Sequence, residues 1–273
     1  MTNLLRANLF RLRRDLNFWC CFGTVLACSA GFMFFWCRED LALGLETSLE
    51  QYYFRMTLSL GMFDAIVSAL FLNVEYSEGA IRNKLAVGHT RRSVYWAHFL
   101  TILAASLLIA LAWLLGGCVG IPMVGAWSFG VGAWAFHVLI VMAASASFAA
   151  IFTFLGMLTT GRAATVGIVL VYFALLLGAA YVDNILSEPE FMSNFLTTVD
   201  GTAIGAPEPN PYYVSGAARA FYEFLQDLLP TGQTRQLQTV SVLHPVRALL
   251  CDAGVTAVFT LGGLALFGRK DLK

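Results

Sequence analysis

Residues 75 to 95 read EYSEGAIRNKLAVGHTRRSVY, a charged, helix-compatible island between two apolar runs that are each long enough to cross a bilayer. No other connection in the chain has this character. It reads as a docking surface on a membrane protein. Ser77 is placed to cap a short helix, Glu78 suits the positive end of its dipole, and Gly88 is a natural terminator. Ile81 and Leu85 share one face, and Arg82, Asn83 and Ala86 point the other way. Thr90, Arg91 and Arg92 then open the next run with basic residues at headgroup level. Two faces imply two contacts. An ordinary basic loop accounts for any single residue here, whereas the whole pattern favours docking.

The composition around the island agrees. Hydrophobic residues make up 58% of the 273 and charged residues only 12%, with a mean hydropathy of +0.71; soluble domains carry about 25% charged residues. Six apolar runs, 17 to 37, 56 to 74, 94 to 117, 128 to 158, 164 to 182 and 246 to 267, each meet the length of a transmembrane helix. The expected fold is all-α: a single transmembrane domain over 1–273, polytopic, with six membrane helices. The fourth run exceeds what a span needs, so part of it is expected to tilt, break or protrude.

A net charge of zero hides an asymmetry between loops. Arg6, Arg11, Arg13, Arg14, Arg82, Lys84, Arg91, Arg92, Arg162, Arg269, Lys270 and Lys273 fall on one side, against Arg38, Arg55, Arg219, Arg235 and Arg247 on the other. The positive-inside rule then puts both termini in the cytoplasm, as an even number of spans requires. Ahead of the first span, Leu4, Leu5, Leu9, Leu12 and Leu16 recur at helical spacing opposite Arg6, Arg13 and Arg14, so residues 2–16 read as an interfacial helix. A cleaved signal competes, because Val25-Leu26-Ala27-Cys28 loosely resembles a lipoprotein box. Against it, the apolar run continues through Phe32, Phe34, Phe35 and Trp36.

Glu75, Glu78, Gly79, Ile81, Asn83, Leu85, Gly88 and Arg91 carry a resemblance to the membrane subunits of ABC type 2 exporters, including bacteriocin-immunity and bacitracin-type systems. In that family an acidic residue ends the second span, a Gly-x-Ile-x-Asn-Lys-Leu-like segment forms a cytoplasmic coupling helix, and Gly-x-x-Arg leads into the third span. A basic residue often follows, where this chain has His98. The resemblance implies that Glu75, Glu78, Ile81, Arg82, Asn83, Leu85, Gly88 and Arg91 dock a separate ABC ATPase subunit, which binds ATP and Mg. It also implies a second membrane subunit, self or paralogue, and no cofactor in this chain. The chain has no Gly-x-x-x-x-Gly-Lys-Ser/Thr phosphate loop, so it is not expected to be an enzyme itself. No nucleic-acid partner is expected.

Residues 183–244 form the one long segment on the far side. Pro207, Pro209 and Pro211 break structure around Asn210. Ala217, Phe221, Phe224, Leu225 and Leu228 then oppose Arg219, Glu223, Gln226 and Asp227 on a helix expected to lie on the outer leaflet, as a gating lid or a packing cap. Within the spans, Asp64, His137, Arg247 and Asp252 need an account. Asp64, Asp252 and Arg247 can pair across helices, either in a structural network or on a proton or substrate path. Gly116 and Gly120, Ala146 and Ala150, and Gly263 with Ala265 suit close helix packing. The six cysteines show no Cys-x-x-Cys spacing, so no metal or redox site is expected, and only Cys37 and Cys118 are candidates for a disulfide. There is no catalytic motif of the His-Glu-x-x-His or Gly-x-Ser-x-Gly kind.

The resemblance implies a permease of an ATP-driven exporter in a bacterial cell membrane, moving an amphiphilic or peptide-like cargo. The alternatives are a secondary transporter working through Asp64 and Asp252, and a membrane sensor or scaffold.

Overall fold

Peptide groups in hydrocarbon have no water to bond, so apolar segments close their hydrogen bonds internally as helices. The computed structural model of this chain follows that rule. It describes residues 1–44, 49–124, 130–159, 162–192, 195–198, 201–204 and 206–270. Among these residues, six helical stretches are long and apolar enough to span a membrane: Leu16–Leu43, Tyr52–Ser77, Arg91–Met123, Val131–Leu158, Thr165–Ser187 and Pro245–Arg269. The protein is an all-helical, multi-pass membrane protein.

The spans run past their apolar cores into charged flanks. Helix α2 (Leu16–Leu43) continues through Arg38, Glu39 and Asp40. The second span is two helices, α3 (Leu49–Arg55) and α4 (Thr57–Ser77), meeting at Met56. The third is α6 (Arg91–Gly117), carried on by a 3₁₀ turn and the short α7 (Ile121–Val124). Helix α8 (Val131–Leu158) is continuous over 28 residues, so the long fourth run does not break within it; positions 128 and 129 lie outside the described residues. Helices α9 (Arg162–Ser187) and α12 (Pro245–Arg269) complete the bundle. We call the end carrying the start of α6 the basic end, and the other the distal end.

Helix α12 lies along α8, α2 along α6, and α4 against α6, α8 and α9. Without a strong hydrophobic drive between helices in lipid, small residues that let backbones approach matter most. A Cβ on Gly116 would sit 2.6 Å from the Leu26 carbonyl oxygen of α2, so this glycine sets the α2–α6 spacing. Gly263 likewise accommodates the Tyr95 ring. Cys37 and Cys118 are both free thiols, and Cys118 Sγ donates instead to the Leu114 carbonyl, so the candidate disulfide is not formed.

Ahead of the spans, α1 (Thr2–Arg14) is amphipathic as expected, but its inward stripe differs. Leu4, Asn8 and Leu12 are buried, whereas Leu9 and Leu16 are exposed. The i, i+4, i+8 spacing selects this stripe, and α1 packs it on α6.

The distal segment holds more than the expected outer-leaflet helix. Two short hairpins, Phe191–Met192 with Glu208–Pro209 and Phe195–Thr198 with Gly201–Ile204, precede helices α10 (Gly216–Leu228) and α11 (Pro230–Gln238). Asn210 is the buried pivot of the proline-rich stretch, its Nδ2 donating to Glu188 Oε2 and the Pro189 carbonyl. On α10 the polar face turns inward: Gln226 and Asp227 are buried while Phe221 and Phe224 are exposed. Helix α11, though polar, is buried almost throughout. Its Thr231 hydroxyl donates to the Leu175 carbonyl of α9, twelve residues from that helix's end at Ser187. At 1.5 Å per residue that is about 18 Å below the distal end. So α11 dips into the bundle, where no hydrocarbon reaches its polar groups.

Candidate functional site

The island at 75–95 folds into a short helix, α5 (Ala80–Ala86), between two glycine hinges. Gly79 and Gly88 hold φ values of +68° and +96°, a left-handed region open to glycine at little cost. Gly88 thus ends the helix as its position suggests. Ser77 does not cap it: it is the last residue of α4, donates to the Val74 carbonyl, and leaves Gly79 at the N-cap. Thr90 caps α6 instead, accepting from the Ser93 amide.

The two faces of α5 are distinct. Ile81 is 1% exposed and Leu85 packs on the same core. Glu78, Arg82, Asn83, Ala86 and Val87 face out, Val87 being 81% exposed. Of the residues aligned with the docking motif, Glu78, Arg82 and Asn83 are on the accessible face. Ile81 and Leu85 are not, because their side chains complete the bundle's own packing.

Glu75 is also interior. It is fully buried at the end of α4 and forms an ion pair with Arg11 of α1 and another, at 2.8 Å, with Lys84 of α5. Lys84 Nζ also donates to Asn8 Oδ1 at 2.9 Å, and Arg11 to the Phe71 carbonyl. His98 of α6 completes the surround: its Nδ1 donates to the Val94 carbonyl, and Nε2 stands 3.4 Å from Glu75 Oε2. One carboxylate therefore ties together α1, α4, α5 and α6. The sequence reading missed Arg11, Lys84 and Asn8 as a set. The available signal was Asn8, a polar residue inside the Leu4–Leu12 stripe. Arg91 does not project to solvent either; it donates to the Phe267 and Lys270 carbonyls at the C-terminal end of α12, where a cation meets the negative end of the helix dipole.

The intramembrane polar residues separate into different places. Asp64 is buried beside Ser106 of α6, with neither carboxylate oxygen in a well-formed hydrogen bond among the described residues. Asp252 accepts from the Ser147 hydroxyl of α8 at 2.7 Å. Arg247 pairs with neither: its Nε donates to Asp227 Oδ2 of α10 at 2.5 Å. His137 lies near the distal start of α8, its Nδ1 donating to the Ala133 carbonyl and its ring 5.5 Å from Phe54. The expected Asp64–Asp252–Arg247 pairing is thus replaced by a network centred on Asp227. Gln236 Nε2 donates to Asp227 Oδ1 and Gln233 Nε2 to the Asp227 carbonyl, while Arg235 pairs with Asp183 at 2.5 Å. This network fixes α10 and α11 against α9 and α12.

No protein-family model matches the chain, and no curated protein matches it significantly.

Proposed function

We propose that the protein is the membrane-spanning permease subunit of an ATP-driven ABC exporter, with both termini and α5 in the cytoplasm of a bacterial cell. The supporting observation is the construction of α5. Its inner face is locked to three other helices through Glu75, while its outer face offers Glu78, Arg82, Asn83 and Val87. A push on that outer face is transmitted to α1, α4 and α6 rather than absorbed by a loose loop. The pusher is a separate ATPase subunit that binds ATP and Mg, and a second membrane subunit, self or paralogue, completes the transporter. The cargo is amphiphilic or peptide-like.

The test is to tag the chain, solubilise it gently, identify co-purifying chains by mass spectrometry and assay ATP hydrolysis. Because Ile81 and Leu85 are core residues, the informative variant is Arg82→Glu with Val87→Asp on the exposed face. Loss of a stoichiometric ATPase with normal insertion supports the reading. A clean, ATPase-free oligomer from the wild-type chain sinks it and turns attention to Asp64, the buried carboxyl on which a proton-driven secondary transporter would depend.

A further inference from the structure

Beside Leu249–Leu261 of α12, a cavity of about 490 Å³ lies between that helix, α6 and α8. Ala143 and Ala146 of α8 and Ala253 and Ala257 of α12 make the space, since larger side chains there would fill it. Ala253, Ala257 and Leu261 are exposed on the flank of a membrane helix, so the cavity opens sideways into lipid. Trp96 and Phe99 of α6 close its far end, their rings 5.7 Å apart edge to face.

An otherwise apolar wall carries one polar stripe, Asp252, Thr256 and Thr260, at successive helical turns. Asp252 is 2% exposed and Thr260 4%. Asp252 Oδ1 is held by Ser147, which also lies 3.4 Å from the Thr256 hydroxyl. Asp252 Oδ2 and the Thr260 hydroxyl have no partner among the described residues. Gln233, the other polar side chain beside Asp252, has its amide hydrogens directed at the Asp227 and Ala248 carbonyls. No well-formed hydrogen bond reaches Oδ2 among the described residues, and a buried carboxyl oxygen without one is costly.

We propose that this groove is a lateral binding site for a single-chain amphiphile bearing a primary or secondary amine. A small turn of the Asp252 side chain brings the otherwise sealed Oδ2 to the groove, where the ammonium donates to it, a charge-assisted bond strengthened by the low dielectric. The alkyl chain runs along Thr256 and Leu261 toward Trp96 and Phe99. From Asp252 to Leu261 is about 14 Å at 1.5 Å per residue, room for one extended chain of medium length. Asp252 is the eighth residue of α12, which places it about 10 Å below the helix's distal end. A phospholipid headgroup stays at the interface, so a small amine head fits this depth better. The site needs no ATPase and stands or falls apart from the permease reading.

The experiment places the purified full chain in nanodiscs of zwitterionic lipid. It compares crosslinking by a photoactivatable dodecylamine with that by the matched dodecanol probe, mapped by peptide. The expected result is amine labelling on α6, α8 and α12 that saturates at about a tenth of the alcohol's concentration. Asp252→Asn should reduce the amine to the alcohol's level, and Ala257→Trp at the exposed rim should block both without touching the buried acid. Equal labelling by the two probes, labelling elsewhere, or an unchanged amine preference in Asp252→Asn overturns the proposal. If Asp252→Asn does not fold, undiminished labelling in Ala257→Trp overturns it alone.

Discussion

Substituting Glu75 by Ala removes the one anion that faces Arg11, Lys84 and His98 among the described residues. At 2.8 Å and an effective dielectric near 20, Lys84 alone attracts the carboxylate by about 6 kcal/mol before desolvation. Burying a carboxylate whose side chain is 1% exposed offsets much of that. Deleting one member of a buried pair typically costs about 3–5 kcal/mol, because the partner is left uncompensated. Here the stranded cations have an escape: the Arg11 and Lys84 side chains are 32% and 17% exposed and can turn to water. The expected loss is therefore at the lower end, about 3 kcal/mol. SDS titration of the micellar protein, followed by fluorescence of its tryptophans, measures it. Lys84→Met should cost less, and the double variant should cost less than the sum of the two, since the residues are in contact. A second readout is thiol modification at Asn83→Cys on α5, which should accelerate when Glu75 is removed. A loss under about 1 kcal/mol with unchanged thiol reactivity, the range of an exposed ion pair, would refute the claim that Glu75 locks α5 to the bundle.

Other expectations follow from the same geometry. Gly116→Ala drives a methyl against the Leu26 carbonyl of α2 and should destabilise the protein by about 1–3 kcal/mol as overpacking does; an unshifted SDS midpoint would deny the close approach. Asp227→Asn leaves Arg247 facing a neutral amide inside the distal network, and should cost about 2 kcal/mol and raise protease cleavage between α10 and α11. Asp227→Asn with Arg247→Met should recover part of that loss, and no recovery would place the defect elsewhere. Burial lowers the Lys270 ammonium, which donates to Tyr76 and the Met157 carbonyl, to about 8. The unfolded chain then holds more protons between pH 8 and the ordinary lysine range, so stability should rise with pH across that window. Lys270→Met should flatten that slope in a melting series from pH 8 to 10; the same slope in both proteins would assign it to another group.

The six spans were legible because partition into a bilayer is a sum over each segment's own residues, needing no knowledge of neighbours. The helical island at 75–95 was legible for a similar reason: Gly79 and Gly88 punctuate it locally, whichever way it faces. Partnerships were not. Arg11 and Glu75 are 64 residues apart, and whether they meet depends on the rotation and offset of α1 against α4, which packing across the whole bundle decides. The pattern of α10 distinguishes two faces, and its surroundings decide which one meets protein. In water the apolar face turns inward; against lipid the economy reverses, so Gln226 and Asp227 bury into the α11 network while Phe221 and Phe224 turn outward. Helix α11 itself reads as a polar outer loop, and only the bundle, by supplying Leu175, Asp227 and Ala248 as partners, carries it below the distal surface. The chain's own residues thus determined how many helices are long and apolar enough to cross, though not where each one ends. The tertiary structure decided which buried charges are matched and where an unmatched carboxyl faces a cavity, because polar satisfaction in a low-dielectric interior is a property of positions brought together and of no single segment.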